Sequence, residues 1–310
     1  MRILSLKNRK MHLVLWVCLG LLSSSNLWSK KPIFQAPSRE EIKKLLADKK
    51  ASENIAQRLS QMSSLFVGAP YVISPLGEGV GPDTDPRIRF DAFDCTTFVE
   101  TVLALSFSDD LASAELRLDY IRYQEGELDF LKRRHFPEAE WIPELIQAGY
   151  FEDITQKTGR VGVTLESKYI SQKVWERRRE PRHLELPESR IPEGQFVLPS
   201  WKLEEALEHF KRIPPGVVLN VVRVNFQSVP VRVSHQGIVI QKGKKLYLRH
   251  AADRMYHSVV DEPLGAFLWR IAQYKKWPVH GINLLKVKRP YGTKEAVPIN
   301  LPVVPILDKL

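Results

Sequence analysis

The C-terminal third of the chain restricts the fold most. Val217 to Val224 and Val231 to Ile240 are rich in β-branched residues, Lys245 to Arg249 continues the pattern, and Gly281 to Val287 adds another run. Such stretches suit a pleated sheet. The short polar turn Gln241-Lys-Gly-Lys244 between two of them predicts an antiparallel hairpin. Upstream the periodicity is helical. Ser38-Arg-Glu-Glu41 is a capping box opening a helix to about Lys49. Ile55, Leu59, Met62 and Phe66 mark a second helix over about Ser52 to Phe66. An apolar helix follows Asp94 and ends near Phe107, Asp109 and Asp110 cap another through Tyr123, and Trp141, Ile142, Leu145 and Ile146 mark further helical material. Helices first and antiparallel strands later predict an α+β fold, with the helices packed on one side of the sheet. The Gly/Pro-rich stretch from Gly68 to Pro86 is irregular and long enough to line a cleft. The polar stretch from Thr158 to Ser200 reads as an irregular connection carrying a helix or two, inserted in one domain over residues 30–310.

The N-terminus has the order of a secretory signal. Arg2, Lys7, Arg9 and Lys10 form a basic start, an apolar run follows from Met11 to Leu22, and Ser23 to Ser29 supplies small polar residues. Residues 1–29 are therefore expected to leave on export, with cleavage after Ser25 or after Ser29 fitting equally. The competing reading, an uncleaved anchor, meets the difficulty that a span needs about 20 apolar residues. The net charge is +10, but four of the positives lie in this leader. The rest is dispersed basicity without a Lys/Arg block or a stacking-aromatic motif, which argues against a nucleic-acid binder. No stable membrane span is expected after cleavage, and a monomer is expected.

Of two cysteines, Cys18 belongs to the leader, so Cys95 stands alone in the exported chain. No internal disulfide can form. Such a thiol is inert, links molecules or does chemistry. Asp94 is a good N-cap and places Cys95 at the first helical position, where amides and the helix dipole favour a thiolate. Phe98, Val99, Val102 and Leu103 follow at helical spacing, so Cys95 also fits a small core residue at a helix start.

The hairpin tips the balance. A turn centred on Lys242 and Gly243 pairs Val239 with Leu246, Gly237 with Leu248 and His235 with His250. Alternation then puts both histidines on the apolar face, about 5 Å apart at Cβ. A three-residue turn would instead oppose His235 to Ala251. A cysteine nucleophile needs a base, and the base needs a third group to fix its tautomer. Cys95, His235 and His250 are the expected catalytic residues, against the alternative of satisfied core histidines. Tyr71, Asp94 and Thr96, near the thiol, are candidates for substrate contact, against a packed aromatic and a plain helix cap. A zinc site built from His235, His250 and His257 lacks an HExxH pattern, and no metal or cofactor is expected.

A cysteine at a helix start, a histidine on a strand and a polar residue on the next resemble the NlpC/P60 papain-like peptidases. The fuller text resembles one branch, the DUF1460 family of N-acetylmuramoyl-L-alanine amidase-like proteins. The carrying segments are Phe66-Val-Gly-Ala-Pro-Tyr71, Phe93-Asp-Cys-Thr-Thr-Phe-Val-Glu100, Ile121-Arg-Tyr123, Arg134-His135-Phe136, Ser234-His-Gln-Gly237, Arg249-His250-Ala251 and Gly281-Ile282. One departure is Phe136, where a tyrosine is expected after His135. The resemblance implies a circularly permuted papain-like core and a peptidoglycan or muropeptide substrate. It implies cleavage of the amide joining N-acetylmuramic acid to L-alanine, through a thioester on Cys95. An endopeptidase cutting within the stem peptide and a non-catalytic cell-wall binding protein are the alternatives.

Overall fold

The computed structural model describes residues 34–47, 54–177 and 186–289. The signal segment expected over residues 1–29 lies outside them, and so do residues 48–49, over which the sequence predicts the first helix to continue. No helix among the described residues is long and apolar enough to cross a membrane.

Capping chemistry sets the N-terminal helices. The Ser38 amide donates to Glu41 Oε2 at 2.7 Å and the Glu41 amide to Ser38 Oγ at 3.2 Å, opening α1 (Arg39–Ala47). Asn54 caps α2 (Ile55–Ser64), Asp94 caps α3 (Cys95–Ser106) and Asp110 caps α4 (Leu111–Arg122). Short helices α5 (Ile142–Gln147), α6 (Thr155–Gly159) and α7 (Gln172–Glu176) follow, then α8 (Leu203–His209) and α9 (Leu264–Ala272). The strands are β1 (Phe151–Asp153), β2 (Val163–Ile170), β3 (Gly194–Lys202), β4 (Val217–Arg223), β5 (Val233–Lys242), β6 (Lys245–Ala252), β7 (Ser258–Pro263) and β8 (Val279–Val287). They form one eight-stranded antiparallel sheet in the order β2-β3-β8-β4-β5-β6-β7, with β1 also paired to β8.

Two expectations need correction. Besides the expected helical piece, α7, the described part of the stretch from Thr158 to Ser200 carries β2 and β3, which pair with each other and extend the sheet instead of forming an irregular connection. Glu166 and Lys168 dilute the alternation of β2, and Pro199 interrupts that of β3. Nor do the helices lie on one side only. Val218, Val222, Ile238, Ile240 and Leu285 pack with α2, α3 and α4 on one face, while Val217, Leu219, Val221, Val239 and Leu284 pack with α8 and α9 on the other. β4 is consequently buried on both faces, as its nearly unbroken apolar run requires. The thiol-bearing helix α3 sits in the first core with Phe98, Val99, Val102 and Leu103 fully buried. Each contributes about 1.5–3 kcal/mol of burial.

Three amide side chains cross the centre of the sheet. Gln236 Nε2 donates to Asn220 Oδ1 at 2.8 Å, and Asn220 Nδ2 donates to Asn283 Oδ1 at 2.9 Å. Asn283 Nδ2 reaches Asp153 Oδ2 at 2.7 Å. The row links β5, β4 and β8 on the α3 face, where a mispaired strand would strand polar groups in the core.

Candidate active site

Loop and helix meet at the thiol. The Pro70–Tyr71 segment is stitched between Phe93 and the start of β7: the Phe93 amide donates to Pro70 O at 3.1 Å and the Tyr71 amide to His257 O at 2.9 Å. Asp94 then does two jobs. Its Oδ1 accepts the Thr97 amide at 2.7 Å as the helix cap, and its Oδ2 accepts the Ser74 amide at 3.0 Å, fastening the Gly-rich loop. Further along, Arg133 binds Glu78 Oε1 at 2.6 Å and Asp83 Oδ2 at 2.9 Å, and Arg122 donates to Leu76 O at 3.1 Å. These contacts hold the loop against the end of α4. Tyr71, Asp94, Cys95 and Thr96 therefore come together, with Thr96 Oγ1 3.9 Å from Cys95 Sγ. For Asp94 the cap and tether are established by contact. Tyr71 keeps some exposed surface, and burial plus the neighbouring Cys95, Asp94 and Asp253 raise its phenol pKa.

The histidines meet in a register other than the expected one. β5 pairs Val239 with Leu248 and Lys242 with Lys245, so the turn is Gly243-Lys244, with Gly243 at φ 57°. A left-handed glycine at the first central position is the type II′ arrangement, which the sequence reading displaced by one residue at each side. His250 thus stands beside Gly237, and His235 lies diagonal to it. The shift is two residues, so both stay on the same face, and His235 Nε2 lies 2.7 Å from His250 Nδ1. Gly237 makes room for this: a Cβ there would come within 2.9 Å of the His250 Cβ. A bulge contributes as well. Val221 pairs with His235 but Val222 with Val233, leaving Ser234 extra. The added residue turns His235 onto the α9 face, with its ring 6.1 Å from Phe267, although Val233 packs in the other core.

The row continues to a residue that the sequence reading missed. His250 Nε2 lies 3.2 Å from Glu262 Oε2, and Arg270 grips Glu262 through Nε at 2.8 Å and Nη2 at 2.7 Å. Glu262, on β7, is again diagonal, since His250 pairs with Val260. An acid in a strand among buried neighbours was the available signal. Although burial pushes the Glu262 carboxyl up, Arg270 and His250 hold it at about 2. An ionised carboxylate only accepts, so it selects the His250 tautomer protonated at Nε2. His250 Nδ1 then accepts from His235 Nε2–H, which leaves His235 Nδ1 unprotonated.

Both histidines are held neutral. Burial lowers His235 well below 6.5, aided by His250, Arg270 and Arg223, and burial lowers His250 against the opposing pull of Glu262. The thiol departs from expectation. Burial and the Asp94 charge raise Cys95 to about 12, outweighing hydrogen bonds from the Gln236 amide, the Thr96 side chain and its own amide. The helix start alone does not make a thiolate here.

His135, flagged by the resemblance, accepts burial instead of solvent: its Nε2 lies 2.8 Å from Phe130 O, and Phe136 packs against Trp175. His257 stands in an exposed turn with Nδ1 4.0 Å from Asp253. Among the described residues, only Glu205, Glu208 and His209 on α8 bring three metal-capable side chains to ligand spacing, and His235, His250 and His257 do not.

A family model described as AmiA-like, N-acetylmuramoyl-L-alanine amidase-like, matches residues 61–272, which contain Cys95, His235, His250 and Glu262. The chain is similar to the crystal structure of protein LPG0564 from Legionella pneumophila str. Philadelphia 1, assigned to DUF1460, with a TM-score of 0.71 and 26% identity over 80% of this chain and 94% of that one. It is also similar to an N-acetylmuramoyl-L-alanine amidase from Bacteroides uniformis ATCC 8492, with a TM-score of 0.60 and 24% identity over 76% and 99% of the two chains. No curated protein matches.

Proposed function

The chain belongs to the N-acetylmuramoyl-L-alanine amidase-like family, and from that membership and the site's geometry we propose that it is an exported cysteine amidase of peptidoglycan. The observation that carries the chemistry is the buried row His235–His250–Glu262, with its members 2.7 and 3.2 Å apart, on and beside the strand β5 that packs with the helix beginning at Cys95. A neutral imidazole with one unprotonated nitrogen is a general base, and a carboxylate two groups away stabilises the imidazolium it becomes.

The reaction runs as follows in this proposal. Cys95 Sγ attacks the lactyl carbonyl carbon of N-acetylmuramic acid while its proton passes to His235 Nδ1. The backbone amide of Cys95 donates to the oxyanion. The carbon–nitrogen bond breaks, and the departing amine of L-alanine takes the proton from His235. Water, deprotonated by His235, hydrolyses the thioester and restores the thiol. Since the resting thiol and imidazole are both neutral, proton transfer accompanies attack instead of preceding it. The protein is taken as a papain-like domain of the NlpC/P60 kind over residues 30–310, acting as a monomer in a periplasm or outside the cell after losing residues 1–29. Tyr71 and Thr96 flank the thiol as substrate contacts in this reading.

Cys95→Ala is the test. The variant should fold and release nothing from muropeptides that the parent protein cleaves, and undiminished turnover would end the mechanism. Mass analysis fixes the bond. A peptide with free N-terminal L-alanine marks the amidase, whereas a cut inside the stem marks the endopeptidase.

A further inference from the structure

Buried arginines in this protein come with acids. Among the described residues, Arg58, Arg87, Arg89, Arg122, Arg133, Arg134, Arg190, Arg232, Arg249 and Arg270 are buried or half-buried, and each lies within 4.0 Å of a carboxylate oxygen. The pattern follows from the cost of an uncompensated charge out of water. Arg117 and Arg223 depart from it, as half-buried arginines with no carboxylate at that distance among the described residues. Arg117 sits on α4 and donates to the Tyr150 hydroxyl at 3.0 Å.

Arg223 is placed otherwise. It ends β4, and its Nε donates to the hydroxyl of Ser234, the bulge residue preceding His235, at 2.7 Å. Its Nη1 donates to Trp277 O at 2.5 Å, and its guanidinium lies over the rings of Tyr274 at 4.7 Å and Trp277 at 5.3 Å. The side chain is therefore clamped in position while its charge is left unneutralised. The exposed Arg254 adds a second positive charge that acts on Arg223. A fixed guanidinium with part of its surface open, no acid beside it and another cation close by is a receptor for a carboxylate.

We propose that Arg223 is a carboxylate-binding subsite beside the candidate base, taking the first free carboxylate of the peptide that leaves with the amine. The assignment rests on the amidase reading above. In a muropeptide that group is the α-carboxylate of the second stem residue when this residue is linked through its side chain. Its amidated form is isosteric and neutral, so substrate pairs differing in that one group report on Arg223.

The experiment measures kcat/KM on the parent protein and Kd on Cys95→Ala, each for the acid and the amide form, with and without Arg223→Gln. The acid form should be preferred by roughly tenfold to a hundredfold, the range for a charge-assisted hydrogen bond. Arg223→Gln should abolish the preference for the acid over the amide, whatever change in rate the two forms share, and Arg223→Lys should keep part of the preference. Equal treatment of acid and amide by the parent protein, a result that needs no variant, overturns the subsite while cleavage still upholds the amidase. Binding that favours the acid without cleavage of either form overturns the amidase and upholds the subsite. Equal loss on both forms in Arg223→Gln shows a merely structural arginine.

Discussion

At the sulfur, burial and the Asp94 carboxylate pull against the amide groups of the helix start, and burial wins, raising Cys95 to about 12. A preformed thiolate would react with iodoacetamide at a rate independent of pH from mildly acidic solution upward. Here the rate should be low at neutral pH and climb through the alkaline range, and a neutral plateau would restore the ion-pair picture. The proposed base, His235, has the complementary property. Because His235 is lowered well below 6.5, turnover should persist into mild acid and fall only where that imidazole protonates. In the proposed mechanism Glu262 supplies the charge that steadies the imidazolium during the reaction. Glu262→Gln should therefore reduce kcat by about tenfold to a hundredfold with KM little changed, an effect confined to the transition state. A rise in KM at constant kcat would show that Glu262 acts on substrate binding instead.

The hairpin of β5 and β6 carries the geometry at the next scale. Its parity, not its register, keeps the two histidines together, because a shift of two residues preserves the face and a shift of one reverses it. Gly237→Ala should test this, since the new Cβ would press on His250 and Leu248 at 2.9 Å. Overpacking of this kind costs about 1–3 kcal/mol, and kcat should fall as His250 is displaced. Full activity with unchanged thermal stability would show that the contact relaxes freely. Much of this arrangement was legible in the sequence: the capped helix at Cys95, the paired strands and the shared face of His235 and His250. The remainder depends on long-range pairing. The bulge at Ser234 and the turn at Gly243 are set by strand partners, and Glu262 and Arg223 acquire meaning only from neighbours on other strands. β2 escaped notice because Glu166 and Lys168 interrupt its alternation, and β3 because Pro199 interrupts its run.

For the molecule as a whole, buried imidazoles tie stability to pH. Burial lowers His135 to about 4 and lowers His235 and His250 as well, from an unfolded value of 6.5. Below 6.5 the unfolded chain binds protons that the folded chain refuses, so stability is complete above that pH and declines as pH falls toward about 4. The thermal midpoint should drop over this window, and His135→Gln, which keeps a donor to Phe130 O, should flatten part of the decline. A midpoint constant between pH 7 and 5 would contradict this linkage. The rungs Gln236, Asn220 and Asn283 respond differently, as neutral amides that gain and lose no protons. Acid that silences the imidazoles leaves these rungs intact, so the strand bearing Gln236 stays seated against the sulfur. Loss of turnover at the lower pH where His235 protonates should consequently reverse at once on neutralisation, with no refolding delay.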